Sequence, residues 1–250
     1  MTPFRALLPL VLLLPAAALA DDELRPLTQC NPFWDAVEAL DEFADIDADR
    51  RDVVDVRPRP RFPAVDGVPL PDRMFFRLGE TERDLAITPR GEVLGVFDTA
   101  RELGKDAEIC VTDPHFAGTP ADAPGREFHM GFLPEFLNSS GTLTVAELEK
   151  GTKDGRKFFK KLVPGPVSLL VPKFDHVMAS HPFDDTTALP RVFALRGGVE
   201  LGEVEMEPLD NTRLFSLDAL EDLGADAIRI EGDYVLYPVP DAKTIRRFMD

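Results

Sequence analysis

The sequence predicts an α+β fold in which antiparallel β-hairpins are flanked by short helices. Two glycine turns, Arg196-Gly197-Gly198 and Glu231-Gly232-Asp233, each separate two short apolar runs, which is typical of β-hairpins. Apolar residues at helical spacing are confined to short segments that begin at capping residues. Because short strands joined by tight turns pair antiparallel, these observations favour an α+β fold over a doubly wound one.

The chain begins with the pattern of a secretory signal peptide, which we place at residues 1–20. Arg5 is followed by fifteen apolar residues that end in Ala18-Leu19-Ala20, the small residues that precede a signal cleavage site. A membrane-spanning helix needs about 20 apolar residues, so an uncleaved anchor is the weaker alternative. We therefore expect cleavage after Ala20 and a secreted or periplasmic protein that begins at Asp21.

The chain has two cysteines, Cys30 and Cys110. An exported protein with an even cysteine count usually pairs them, and two buried free thiols are the alternative. Cys30 immediately precedes a predicted helix, for which Asn31 is the capping residue and Pro32 the first helical position. Cys110 lies in the predicted strand EICVT. We expect the bridge to pin that helix over the less apolar face of the strand, and to disfavour the unfolded state by about 4 kcal/mol.

Residues 51–112 have the pattern of short strands separated by turns. The candidate strands are DVVDV, the proline-stiffened RPRPRFP, RMFFRLG, DLAIT and EVLGVFD. Pro89-Arg90-Gly91 makes the last two a hairpin candidate. A short helix, TARELG, is predicted after Asp98, and residues 113–127 form a loop rich in proline, glycine and alanine.

A long helix is predicted to begin at Val145, because Thr144 and Glu147 match a capping box. Its segment KDGRKFFKK (153–161) has five basic residues in an otherwise acidic protein. We interpret this segment as a solvated helix face, and a docking patch for an anionic partner is the alternative. The segment PVSLLVP that follows the helix predicts a buried strand.

The last sixty residues predict a β-β-α-β-β-α unit, which we place at residues 188–250. Ser216 caps its first helix, Gly224 ends that helix, and Asp241 caps the final helix. Residues 21–182 are then the main α+β domain. In the alternative arrangement the two parts form one continuous domain.

The net charge of −17 at pH 7 limits the classes of partner. Such a surface disfavours nucleic acid and anionic lipid headgroups, because like charges repel. One Trp and two Tyr against eighteen Phe disfavour a stacking platform for bases or sugars. The sequence lacks the nucleophile-elbow, zinc-binding and phosphate-loop motifs that one chain can reveal. We therefore predict no cofactor, no metal and no membrane span, and a protein or small-molecule partner of unknown identity.

Four residues between positions 115 and 181 are candidates for a catalytic site: His115, Asp175, His176 and His181. A histidine beside a carboxylate can act as a general base or as a metal ligand. No two histidines of the chain have the i, i+2 or i, i+4 spacing that places two ligands on one face. The stretch FDHVMASHP (174–182) is apolar in its middle, so we interpret it as mainly a packed segment.

Three hypotheses about function follow from these patterns. The first is an exported binding or accessory protein of the periplasm or cell envelope that performs no chemistry. The second is a metal-dependent or His/Asp-based hydrolase that uses the region from His115 to His181. The third is a structural component of the cell envelope.

If FDHVMASHP is a packed segment, Val177 and Met178 are buried and the histidines lie towards its edges.

Overall fold

Antiparallel pairing joins every pair of neighbouring strands in the computed structural model. The structure describes the following residues: 28–44, 51–61, 71, 73–88, 91–113, 128–137, 141–162, 165–181, 190–209, 212–232 and 234–249. Within these ranges the strands form five sheets with short helices around them, which confirms the predicted α+β class. The predicted signal peptide lies outside the described residues.

The strands are β1 (Thr28–Pro32), β2 (Val54–Val56), β3 (Arg59–Arg61), β4 (Arg73–Leu78), β5 (Thr81–Asp84), β6 (Glu108–Thr112), β7 (His129–Gly131), β8 (Pro134–Phe136), β9 (Thr142–Thr144), β10 (His176–Ser180), β11 (Arg191–Arg196), β12 (Val199–Glu203), β13 (Glu207–Leu209), β14 (Thr212–Ser216), β15 (Ala227–Glu231) and β16 (Val235–Val239). The helices are α1 (Trp34–Ala44), α2 (Val96–Leu103), α3 (Val145–Leu162), α4 (Gly165–Ser168), α5 (Leu217–Asp222) and α6 (Ala242–Met249).

The N-terminal sheet has the strand order β1-β6-β4-β5 and packs against α1 and α2. Phe76 of β4 and Ile109 of β6 belong to the same buried cluster as Val37 of α1 and Val96 of α2. Apolar side chains that alternate along the strands therefore meet the apolar faces of both helices, and this cluster is the first of the protein's cores.

The disulfide is confirmed, but its setting differs from the prediction. Cys30 lies inside β1, directly opposite Cys110 of β6, with the two Cα atoms 4.1 Å apart. The bridge therefore joins neighbouring strands and does not pin a helix to a strand. Strand pairing keeps the chain extended as far as Pro32, so α1 begins at Trp34 and not at the proline.

The hairpin predicted around Pro89-Arg90-Gly91 forms only as a short antiparallel contact, in which the Thr88 N–H donates to the Glu92 carbonyl and the Leu94 N–H to the Ala86 carbonyl, both at 2.9 Å. The strand in this region is β5, which ends at Asp84, the first residue of DLAIT, and pairs with β4. In the described part of the predicted hairpin, a single isolated bridge joins Ile87 to Val93. Gly95, with φ of 66°, then turns the chain into α2 in a conformation that favours glycine, so EVLGVFD divides between bridge and helix.

The long predicted helix is confirmed as α3, and so is its capping box. The backbone N–H of Thr144 donates to Glu147 Oε2 at 2.7 Å, and the N–H of Glu147 donates to Thr144 Oγ1 at 3.1 Å. Gly155 lets α3 approach β16 closely, because a Cβ at this position would lie 2.3 Å from Pro238 Cγ. The backbone of α3 at Gly155 therefore packs directly against Pro238 of β16.

The buried strand predicted for PVSLLVP is wrong. The chain forms the short helix α4 and then a turn on which Leu169 and Leu170 are exposed. The guanidinium of Arg156 donates from Nε to the Pro172 carbonyl at 2.6 Å and from Nη2 to the Val171 carbonyl at 2.8 Å. These carbonyls bond to a side chain of α3, so they are not available to a neighbouring strand.

Two further sheets have the strand orders β13-β14-β10-β16 and β12-β11-β15-β9. The β11–β12 hairpin is confirmed, with Gly197 and Gly198 both at positive φ in its turn. The second predicted hairpin, at Glu231-Gly232-Asp233, is wrong because β15 and β16 belong to different sheets. Ile228 of β15 and Leu236 of β16 are buried in one core that both sheets share, so the chain crosses between sheets at this turn.

Both C-terminal sheets contain a strand from the earlier part of the chain. β9 pairs with β15, and β10 lies between β14 and β16. Hydrogen bonds therefore cross the interval 182–188, where we placed the boundary between the two units. The C-terminal unit also contains the hairpin β13–β14, which the sequence pattern did not predict.

The predicted caps of the two C-terminal helices are confirmed. Ser216 Oγ accepts a hydrogen bond from the Ala219 N–H at 3.1 Å, and Asp241 Oδ1 accepts one from the Thr244 N–H at 3.0 Å. α6 packs over the face of β10 and β16 that carries Met178. None of the helices in the described ranges has the length and apolarity needed to cross a bilayer.

Candidate functional site

A groove of about 760 Å³ lies between α3, α5 and the segment that leads into β10. Its apolar floor includes Val145, Phe174, Leu217 and Ala225. Its charged lining includes two sets of like charge, and the carboxylates of Glu149 and Asp175 lie among the lysines. We call the first the basic wall: Lys153, Arg156, Lys157, Lys160 and Lys173. We call the second the acidic wall: Asp218 and Glu221 of α5.

The helical repeat of α3 produces the basic wall. Residues 149, 152, 153, 156, 157 and 160 are three or four positions apart, so they lie along one face of the helix and line the groove. Leu148 and Phe158 point to the other side, where both are buried in the main core. Phe158 therefore faces the core, while the lysines of the same segment that line the groove lie on the other face of the helix.

Arg156 fixes the edge of the groove that is formed by residues 171–175. Its two hydrogen bonds to the carbonyls of Val171 and Pro172 hold the segment 171–175 beside α3. That segment carries Lys173 and Phe174 into the lining. Arg156 thus has a positioning role, and the charges that remain accessible to a ligand belong to the lysines.

Two lysines of the basic wall make weak intramolecular ion pairs, whereas Lys157 lies 2.9 Å from the buried carboxylate of Asp154. Lys153 lies 3.6 Å from Glu149, and Lys173 lies 3.4 Å from Asp175. Both lysine side chains are more than two-thirds exposed, and exposed pairs contribute little because water and salt screen them. Among the described residues, no carboxylate lies within ion-pair distance of Lys160. A ligand anion can therefore displace these partners at small cost.

The acidic wall is formed by the first and last turns of α5. Asp218 and Glu221 line the groove across from α3, and neither forms an ion pair with any cation in the described part of the chain. Such a groove offers an excess of cations along α3 and two carboxylates on α5. It therefore suits a ligand that carries both signs of charge.

The structure brings together two of the four residues predicted as a catalytic site. Asp175 Oδ1 lies 2.7 Å from His176 Nδ1, and Asp175 also lines the groove. His181 follows the far end of β10, about 16 Å from His176 at the usual rise of a strand, and its ring lies against Tyr234. His115 lies outside the described residues.

The packed-segment prediction for FDHVMASHP is confirmed in its central part. Val177 and Met178 are buried on opposite faces of β10, each in a different core. His176 opens the strand and His181 follows it, so the histidines lie at the edges of the segment. β10 is an interior strand of its sheet and has a core on each face, and this accounts for its apolar middle.

One group of potential metal ligands occurs in the described ranges, formed by Cys30, Glu108 and Cys110. The two sulfurs are bonded to each other in the disulfide, so neither is a thiolate that could bind a metal ion. This group is therefore part of the bridge.

The sequence favours a solvated helix face for KDGRKFFKK, with a docking patch as the alternative. Four of its five basic residues line the groove. Asp218 and Glu221 gave no signal, because acidic residues are common throughout the chain. Only the packing of α5 against α3 places them opposite the lysines.

Comparisons with known proteins add no functional information about this groove. No family model, no curated protein and no solved structure matches the chain.

Proposed function

We propose that the protein is an exported binding protein and that the groove is its ligand site. The observation that carries this proposal is the arrangement of a basic wall and an acidic wall over an apolar floor. The ligand class that fits is a zwitterionic molecule, most simply a short peptide segment with one acidic and one basic side chain. The acidic group would lie against Lys160, and the basic group against Asp218.

The dimensions of the groove support this ligand class. A volume of about 760 Å³ lies within the usual range of roughly 300–1,000 Å³ for ligand sites. The apolar floor gives a ligand surface to bury, and the charged walls give it an orientation. Such a division of roles is usual in binding sites, where apolar contact contributes affinity and a few polar groups contribute specificity.

Two observations support export. The chain begins with a segment of signal-peptide pattern, and the disulfide between Cys30 and Cys110 is typical of proteins in oxidising compartments. The acidic surface favours solubility in such a compartment.

The test is selection of a random displayed peptide library on the immobilised, oxidised protein. Enriched sequences should contain one acidic and one basic residue, and the affinity of an enriched peptide can then be measured by calorimetry. Lys160→Glu should weaken binding about fivefold or more, since a favourable charge becomes an unfavourable one. Lys161→Glu is the matched control, because it makes the same charge change one residue away and outside the lining.

The acidic wall has its own matched pair of variants. Asp218→Asn should weaken binding of the same peptide, whereas Asp222→Asn on the same helix should not, because Asp222 lies outside the lining. Enrichment of peptides without any charge preference would overturn the proposal. Equal effects of Lys160→Glu and Lys161→Glu would overturn it as well.

The contact between Asp175 and His176 favours a second candidate, a hydrolase. A carboxylate 2.7 Å from Nδ1 can orient a histidine that acts as a general base. Ser216 stands opposite His176 in the β10–β14 register, which makes it the candidate nucleophile. Hydrolysis of p-nitrophenyl acetate that is lost in His176→Ala and retained in His181→Ala would support this function. Equal rates in both variants would exclude it.

A further inference from the structure

The corner after α3 exposes two consecutive leucines. Leu169 and Leu170 follow α4 on a turn, with 81% and 75% of their surfaces exposed. The other large apolar residues that are exposed in the described ranges reach at most 67%. Burying such side chains is normally favourable, so two neighbouring leucines that both face water indicate a contact surface.

The fold holds this turn in place. The N–H of Val171 bonds to the Ser168 carbonyl at 3.4 Å, and the Ser168 hydroxyl donates to the Gly165 carbonyl at 2.6 Å. Val171 is itself buried, and its carbonyl accepts a hydrogen bond from Arg156. The residues on both sides of the leucines are thus fixed, and the leucines project from a defined position.

The charge around this corner is opposite to that of the whole chain. From residue 155 to residue 174 the sequence contains five basic residues and no acidic one, in a chain with 45 acidic residues. Lys160 and Lys161 lie in the last turn of α3, and Lys173 follows the leucines. Neither Lys160 nor Lys161 has an ion-pair partner within the described part of the chain.

We propose that this corner binds the surface of an anionic phospholipid bilayer. Leu169 and Leu170 enter the interface, while Lys160, Lys161 and Lys173 lie against the headgroup phosphates. Exposed apolar residues combined with lysines are the pattern of interfacial membrane contacts. A projecting pair of leucines suits a lipid surface better than a protein partner, because a stable protein interface needs about 800 Å² on each side.

The net charge of −17 opposes this contact but acts mainly at longer range. At physiological ionic strength charges are screened beyond about 8 Å, so the lysines nearest the membrane dominate. Binding should therefore require anionic lipid, and it should weaken as salt screens the lysines. The corner shares Lys160 and Lys173 with the basic wall, but Lys161, Leu169 and Leu170 lie outside the groove lining. Variants of these three residues therefore test the bilayer contact separately from peptide binding.

The test is co-sedimentation of the full, oxidised protein with vesicles of phosphatidylglycerol and phosphatidylcholine in equal parts, and with vesicles of phosphatidylcholine only. The wild-type protein should bind the mixed vesicles and not the neutral ones. Leu169→Ser/Leu170→Ser should lower the partition coefficient about tenfold. Lys161→Gln should lower it about fivefold, the loss expected for one lysine at an anionic surface.

A matched control comes from β12, where Val199 and Leu201 are also exposed apolar residues. Val199→Ser/Leu201→Ser should leave vesicle binding unchanged, and circular dichroism should show each variant folded. Equal binding to neutral and anionic vesicles would overturn the proposal, as would an equal loss in both double variants. Displacement by millimolar inorganic phosphate would show a simple anion site and would overturn the bilayer contact. The two proposals can fail separately. If Lys160→Glu loses peptide binding, the groove is supported. If the leucine double variant still binds vesicles as the wild type does, the bilayer contact is rejected.

Discussion

Breaking the buried ion pair between Arg59 and Glu135 should strongly destabilise the protein. Arg59 Nε lies 2.6 Å from Glu135 Oε2, and Nη2 lies 2.8 Å from Oε1, so the contact is bidentate. Their side chains are only 4% and 1% exposed. Burial disfavours the charged guanidinium, yet its bond with Glu135 outweighs burial and holds the pKa of Arg59 above its usual value. Removal of one partner leaves the other charge buried.

Either single variant breaks this contact. Glu135→Leu removes the carboxylate that accepts two hydrogen bonds from Arg59, and it should lower the free energy of unfolding by about 3–5 kcal/mol. Arg59→Met removes the guanidinium from a buried carboxylate and should have a cost in the same range, although Arg57 Nε still lies 3.5 Å from Glu135 Oε1.

The double variant is the decisive measurement. Arg59→Met/Glu135→Leu replaces both charges with apolar groups, so it should cost well under the sum of the two single changes. Urea unfolding at neutral pH, followed by circular dichroism and Trp34 fluorescence, gives all three values. The exposed pair Arg191–Glu203 is the control, and its cycle should show far weaker coupling. Additive costs at the buried pair would refute the reasoning.

Three further predictions concern the bridge, the contact of α3 and the last helix cap. Cys110→Ser should lower the free energy of unfolding by about 2–5 kcal/mol, measured in urea, because it opens a loop between residues 80 apart. Gly155→Ala should lower the free energy of unfolding, measured by thermal unfolding, by about 1–2 kcal/mol. Alanine has the better helix propensity, but its Cβ would lie 2.3 Å from Pro238 Cγ. Asp241→Ala should cost about 1 kcal/mol at neutral pH as a lost cap. The Thr244 hydroxyl and N–H hold the pKa of Asp241 below its usual value, so unfolding at a series of pH values should show this difference shrinking as the pH falls through the folded-state pKa.

Each of these predictions has an outcome that contradicts it. For the bridge, it is an unchanged urea midpoint together with two alkylatable thiols in the wild-type protein. For Gly155, it is a variant more stable than the wild type, which would mean that Pro238 moves away freely. For Asp241, it is a stability difference that grows in acid, since a carboxylate with a lowered pKa stabilises the fold only while it is ionised.

Local features of this protein were predictable from the sequence because they depend on residues close together in the chain. The capping box at Thr144 and the cap at Ser216 each need partners only three residues away, and both were predicted correctly. The glycine turn of the β11–β12 hairpin is local in the same way. The packed middle of β10 followed from its run of apolar residues, and burial of Val177 confirms it.

The errors in prediction arise from long-range partners. The PVSLLVP segment has the composition of a strand, but its carbonyls bond to Arg156, 15 and 16 residues earlier. β15 and β16 flank a turn that resembles a hairpin, yet each pairs with strands of a different sheet. The acidic wall could not be predicted for the same reason, since Asp218 and Glu221 reach the groove only through the packing of α5 against α3.

The position of the disulfide determines how the protein carries mechanical tension. β1 is the edge strand nearest the N-terminus, and Cys30 in its centre is bonded to Cys110 across the ladder. A pull on Thr28 against the C-terminal end passes from Cys30 through the sulfurs to Cys110, and residues 31–109 lie outside this path. The disulfide bond therefore carries this load past residues 31–109. The strands β4 and β5 and the helices α1 and α2, which lie in that loop, are not on the path.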